Sequence, residues 1–147
     1  MNMKIAKLTV FPMLFLLWSI FGNPQAASAA GFAFAWSNIS NSALNVPYTP
    51  NPLYAFNPSG GAVTITRTGT GLYTVTFSGF GATSTGATNG GNVQVSSFNS
   101  AMTNKYIAKI ISWNSLGNDF IVDIRTQRAN NLSQAGNEMF SVMVAVP

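Results

Sequence analysis

The stretch "AVTITRTGTGLYTVTF", residues 62–77, constrains the fold more than any other part of the chain. Val63 and Ile65 alternate with Thr64 and Thr66. After a Thr-Gly-Thr-Gly interruption, Tyr73, Val75 and Phe77 alternate with Leu72, Thr74 and Thr76. A period of two is the signature of a strand with one buried face, and β-branched and aromatic residues suit such a surface. Glycine between the runs supplies the positive φ that tight turns require. The two runs therefore predict a hairpin with a buried apolar face and a wet threonine face.

The chain from residue 31 onward repeats this grammar: short alternating runs separated by Gly, Asn, Pro and Ser clusters. "GFAFAW" puts Phe32, Phe34 and Trp36 on one face. Residues 37–52 read as an irregular connection in which Pro47, Pro50 and Pro52 disfavour a long helix. "LYAF" is a brief extended piece. Residues 78–92, "SGFGATSTGATNGGN", read as a flexible loop too poor in apolar residues to pack. "VQVSSF" is a strand with a bulge expected at Ser96–Ser97. "KYIAKIISW" and "DFIVDIRT" flank "NSLGN" as a second hairpin, with Phe120, Val122 and Ile124 inward and Asp123 and Arg125 in water. Ile107, Ile110, Ile111 and Trp113 make both faces of the first arm apolar, which suits a central strand. "QRANNLSQAGNE" reads as a polar loop or short helical turn, and "MFSVMVAV" closes the domain with Phe140, Val142, Val144 and Val146 on the core side. The prediction is an all-β chain: a single antiparallel β-sandwich of about eight strands over residues 31–147, with a small barrel as the neighbouring possibility.

Residues 1–30 are set apart from that domain. Lys4 and Lys7 precede an apolar run from Leu8 to Phe21, followed by Gly22, Asn23 and Pro24 and the small-residue stretch Ala27-Ser28-Ala29. This order is that of a secretory signal peptide, with cleavage after Ala29 or Ala30. The apolar run falls short of the ~20 residues that span a bilayer, so no membrane span is expected once it is removed. The expected location is extracellular or periplasmic.

Charge and residue types exclude much chemistry. The 31–147 segment carries Arg67, Lys105, Lys109, Arg125 and Arg128 against Asp119, Asp123 and Glu138, with no basic run of the kind that argues for nucleic acid. The chain has no cysteine and no histidine. It must therefore be held by burial and sheet pairing rather than disulfides, and it lacks the commonest general base and metal ligand. A Ser-His-Asp triad is impossible, and a Ser-Lys dyad using Lys105 or Lys109 lacks a nucleophile motif. Asp119 and Asp123 share a strand face roughly 13 Å apart at ~3.3 Å per residue, beyond the spacing of a glycosidase pair. A weak calcium site from Asp119 and the Asn118 carbonyl competes with an ordinary Gly-Asn-Asp turn. No catalytic residue, metal or cofactor is expected.

Binding residues remain. Tyr48, Tyr54, Trp36 and Trp113 stand near predicted loops and are the candidates for a stacking platform for a sugar or peptide; packing within the core or on a sheet face is the simpler reading. The alternating threonines from Thr64 to Thr76 resemble ice-binding arrays, yet threonine favours strands and pairs across them in any case.

Taken together, "FAFAWSN", "GGAVTITRTGTGLYTVTFSGFG", "GGNVQVSSF", "IISWN", "FIVDIR" and "FSVMVAV" resemble a β module of secreted bacterial proteins, often in tandem copies, with a G-x-Y-x-V-x-F strand and a Gly-Gly-Asn-x-x-Val strand. The resemblance covers nearly all of 31–147. It implies fold and export, and no activity. It also implies a cysteine pair across two strands, whose places Ala108 and Thr126 take here, so the bridge is absent. "GLYTVTF" is similar, as well, to a strand of complement-type trimeric jelly rolls, which implies a trimer. The expectation for function is a non-enzymatic structural or adhesive module whose partners are itself, another extracellular surface protein or a glycan; the alternative is a glycan- or peptide-binding domain built on the four aromatics.

Overall fold

Among the described residues, ten strands form in chain order: β1 (Gly31–Ser37), β2 (Pro47–Tyr48), β3 (Ala55–Phe56), β4 (Val63–Gly69), β5 (Leu72–Phe77), β6 (Asn92–Phe98), β7 (Tyr106–Leu116), β8 (Asp119–Arg128), β9 (Asn131–Ala135) and β10 (Met139–Val146). The structure is a computed structural model and describes residues 31–81, 91–98 and 105–146. The expected leader and most of the Gly/Ser/Thr loop, residues 82–90, lie outside the described residues. Sheet A has the order β3-β1-β10-β6. Sheet B has the order β2-β4-β5-β8-β7, with β9 also on β8. All named strand pairs are antiparallel, and the two sheets stack as a β-sandwich.

The alternation at 62–77 folds as its pattern dictates. Val63, Ile65, Tyr73, Val75 and Phe77 are buried, and Thr64 lies opposite Thr76 and Thr66 opposite Thr74 on the outer face. Gly71 turns the hairpin at φ +64°, and a Cβ there would stand 2.3 Å from the Thr126 carbonyl oxygen, so the position excludes a side chain twice over. Phe120, Val122 and Ile124 of β8 and Phe140, Val142, Val144 and Val146 of β10 complete the core from both sheets.

Four local readings are corrected. Phe80, placed by sequence in an unpacked loop, is fully buried against Phe77 and Phe120 with ring centres 6.3 and 5.8 Å away; one large aromatic suffices to pin a loop end that averages as polar. The bulge expected at Ser96–Ser97 is absent: β6 pairs with β10 in unbroken register from Asn92 to Phe98. The bulge falls instead in β7, between Ile110 and Ser112. β7 is not central but the edge strand of sheet B, and Ile107, Ile111 and Trp113 stay exposed. Finally, part of the polar 127–138 segment forms β9, which pairs with the end of β8.

Candidate functional site

In β1 the core takes the small residues and the surface takes the large ones. Gly31, Ala33 and Ala35 point inward and are buried, because the core volume above them is already filled by rings from sheet B: a Cβ at Gly31 would stand 2.5 Å from the Phe80 ring. With period two, Phe32, Phe34 and Trp36 must then face out. The register fixes their neighbours. Phe34 lies between Phe56 on β3 and Met143 on β10; Trp36 lies beside Ser141; Phe32 lies beside Ala145. One strand further, Met143 is opposite Gln94, Ser141 opposite Ser96, Ala145 opposite Asn92 and Met139 opposite Phe98.

The outer face of sheet A is therefore two rows. The aromatic row runs along β1 with ring contacts Phe32–Phe34 at 6.0 Å and Phe34–Phe56 at 6.1 Å, and Trp36 meets Tyr54 and Phe98 edge-on at 4.6 and 5.2 Å. The polar row, Asn92, Gln94 and Ser96, runs along β6. Between them lies a shallow groove of about 280 Å³ floored by β10. No charged side chain stands at any of these face positions. Phe32, Phe56 and Phe98 are each nearly half exposed, at 45, 48 and 47%.

Of the four aromatics singled out from sequence, the fold unites two. Trp36 and Tyr54 touch, Tyr54 being presented by a 3-10 turn at Pro52–Tyr54 that Asn51 caps by accepting from the Leu53 N–H. Tyr48 belongs to β2 on the other sheet. It packs against the core, its hydroxyl shares a hydrogen bond with Ser37 Oγ at 2.9 Å, and burial pushes its pKa up. Trp113 sits on β7 opposite Val122, on the sheet that does not contribute to the groove. Sequence reasoning missed Phe32, Phe34, Phe56 and Phe98 as binding residues. The signal was the Gly-Phe-Ala-Phe-Ala-Trp alternation, in which the small residues rather than the aromatics fit the core.

Each of the three acids is held by local hydrogen bonds. Asp119 Oδ1 accepts the Gly79 N–H at 3.0 Å, and the neighbouring Asn118 carbonyl accepts from the Gly81 N–H, so the proposed calcium donors hold the end of the β5 connection. Asp123, on the outer face of sheet B, accepts Thr74 Oγ1 and Ser112 Oγ, both at 2.7 Å. Glu138 accepts the Met139 N–H at 3.1 Å. Among the described residues, no three of His, Cys, Asp and Glu come together, and no helix is long and apolar enough to cross a membrane. Comparison with known protein families, curated proteins and solved structures returns no match.

Proposed function

We propose that the chain is an exported, non-enzymatic β module that acts by surface contact, and that the outer face of sheet A is the surface it uses. The observation that carries this reading is a sheet face with no charge on which Phe32, Phe56 and Phe98 are each nearly half exposed along one aromatic row. Contiguous apolar patches of that kind mark contact sites rather than ordinary surface, and interface centres are depleted in charge and enriched in aromatics and Met. The low charge and the Asn/Gly/Ser/Thr-rich connections suit a persistent module outside the cell. The engagement of Asp119, Asp123 and Glu138 in local hydrogen bonds supports a role without turnover.

The partner this face fits first is a second copy of the chain or another neutral protein surface. Concentration-dependent self-association, followed by sedimentation velocity, is expected for the wild type and lost in Phe32→Ser/Phe56→Ser. A monomer at every concentration contradicts it. One observation favours a second reading, a neutral glycan strand: the groove pairs an aromatic wall able to stack on a sugar ring with a wall of amides and hydroxyls able to bond its hydroxyl groups. That reading requires saturable binding on a glycan array that Trp36→Ala abolishes and Trp113→Ala leaves intact.

A further inference from the structure

Four of the five cations beyond residue 30 fall at one end of the β7–β8 ribbon, although they are scattered in sequence; alternation places Lys109 and Arg125 on the outer face of sheet B and Arg128, with its partner Tyr106, on the other face. Lys109 is the register partner of Arg125, Arg128 is opposite Tyr106, and the Lys105 carbonyl accepts the Ala129 N–H. Lys109 and Arg125 share the outer face of sheet B, with Cα atoms about 5 Å apart as in any antiparallel pair. Like charges placed directly opposite each other destabilise a sheet. One carboxylate, Asp123, shares that face two residues from Arg125, but it is held by Thr74 and Ser112, and among the described residues no carboxylate forms an ion pair with these cations. The Arg125 Nε–H is buried without an acceptor.

A second feature shares the site. Ile107 and Ile111 flank Lys109 along β7 and are exposed, and Leu72 lies opposite Arg125 on the other side. A soluble polyanion gains nothing from aliphatic side chains between the cations. A bilayer surface takes both, the cations at headgroup phosphates and the aliphatics at the edge of the acyl region.

We propose that this end of the β7–β8 ribbon docks on the anionic headgroups of a phospholipid bilayer, through Lys105, Lys109 and Arg125 with Ile107 and Ile111 between them. Charge complementarity selects the partner. Each cation at such a surface strengthens binding about fivefold, so three give a preference on the order of 100-fold for anionic over neutral lipid, reversible and salt-sensitive. The site lies on sheet B, opposite the aromatic face of sheet A, and does not depend on the reading given to that face.

The test is co-sedimentation of the purified protein with vesicles of phosphatidylcholine alone or mixed with phosphatidylglycerol. Strong binding to the mixed vesicles, about 100-fold weaker binding to the neutral ones, and release between about 0.1 and 1 M salt are expected. Lys109→Glu/Arg125→Glu should lose the preference. Lys109→Gln keeps the test clear of misfolding: it relieves the like-charge pair, so it should melt no lower than wild type while binding mixed vesicles about fivefold more weakly. Ile107→Ser/Ile111→Ser should weaken binding at unchanged charge. Equal affinity for both vesicle types overturns the proposal. So does binding of inorganic polyphosphate as tight as that of mixed vesicles together with indifference to the isoleucine changes, which would mark the patch as a site for soluble polyanions.

Discussion

On the outside of sheet B, Thr64 lies opposite Thr76, Thr66 opposite Thr74, and Asp123 accepts hydroxyl hydrogen bonds from the strands on both sides of it. On the outside of sheet A, the corresponding central positions are Phe34, Trp36, Ser141 and Met143. Both faces belong to strands of similar length with the same period-two alternation, and both back onto the same core. They differ in what satisfies them. Around Asp123, sheet B's threonine face closes on itself: Thr74 and Ser112 donate to the carboxylate, threonines lie opposite threonines on β4 and β5, and water covers the rest. Sheet A's face has rings that touch only their own neighbours and leave three phenylalanines nearly half exposed. A face finished by its own side chains contributes to stability; a face left unfinished contributes to contact. The difference separates the residues that hold the fold from those that give the molecule its surface.

That separation can be broken by measurement. The largest effect belongs to the core beneath both faces. Phe80→Ala, which empties the space between Phe77 and Phe120, should cost about 3–5 kcal/mol in urea unfolding. A loss below 1 kcal/mol would return Phe80 to the loop. The next lies at Tyr73, whose hydroxyl donates to the Ser40 carbonyl at 2.5 Å and whose pKa burial pushes up to about 12. The unfolded tyrosine ionises near its ordinary value of 10 and the folded one does not, so the folded state holds the proton more tightly. The contribution of Tyr73 is complete below pH 10 and declines as the pH rises from 10 toward 12. Tyr73→Phe should flatten that decline, and an unchanged alkaline profile would contradict it. A smaller effect sits on the outside of sheet B: Asp123→Ala removes the acceptor of two hydroxyls that water can reach, at a cost of about 1 kcal/mol. The smallest is the counterpart on sheet A. Phe32→Ser should change stability by less than about 0.5 kcal/mol, since the ring is half exposed in the folded chain.

The two faces were also unequally legible in the sequence. The β4–β5 hairpin was readable residue by residue because its alternation, its glycine turn and its propensities agree. The alternation of β1 was equally plain, but not its polarity: which of two apolar sets goes inside is decided by the rings of Phe77, Phe80 and Phe120 packed across from it, and no local pattern records that. The same gap explains the stacking candidates. Trp36 and Tyr54 meet because β1 pairs with β3, whereas Tyr48 and Trp113 leave with sheet B. β7 misled for a related reason. Apolar residues on both faces usually signal a central strand, and here Ile107, Ile111 and Trp113 stay exposed on an edge. The predicted hairpin already implied that Lys109 lies near Arg125, but not which face the pair takes nor that it stands on an edge strand.

The central claim, that the unfinished face of sheet A is the working surface, is tested most directly by matched variants of the two faces in one sedimentation-velocity series. Phe32→Ser/Phe56→Ser should abolish concentration-dependent association, and Thr64→Ser/Thr76→Ser on sheet B should leave it as in the wild type. Association that survives the sheet A variant, or that the sheet B variant removes, would contradict the account.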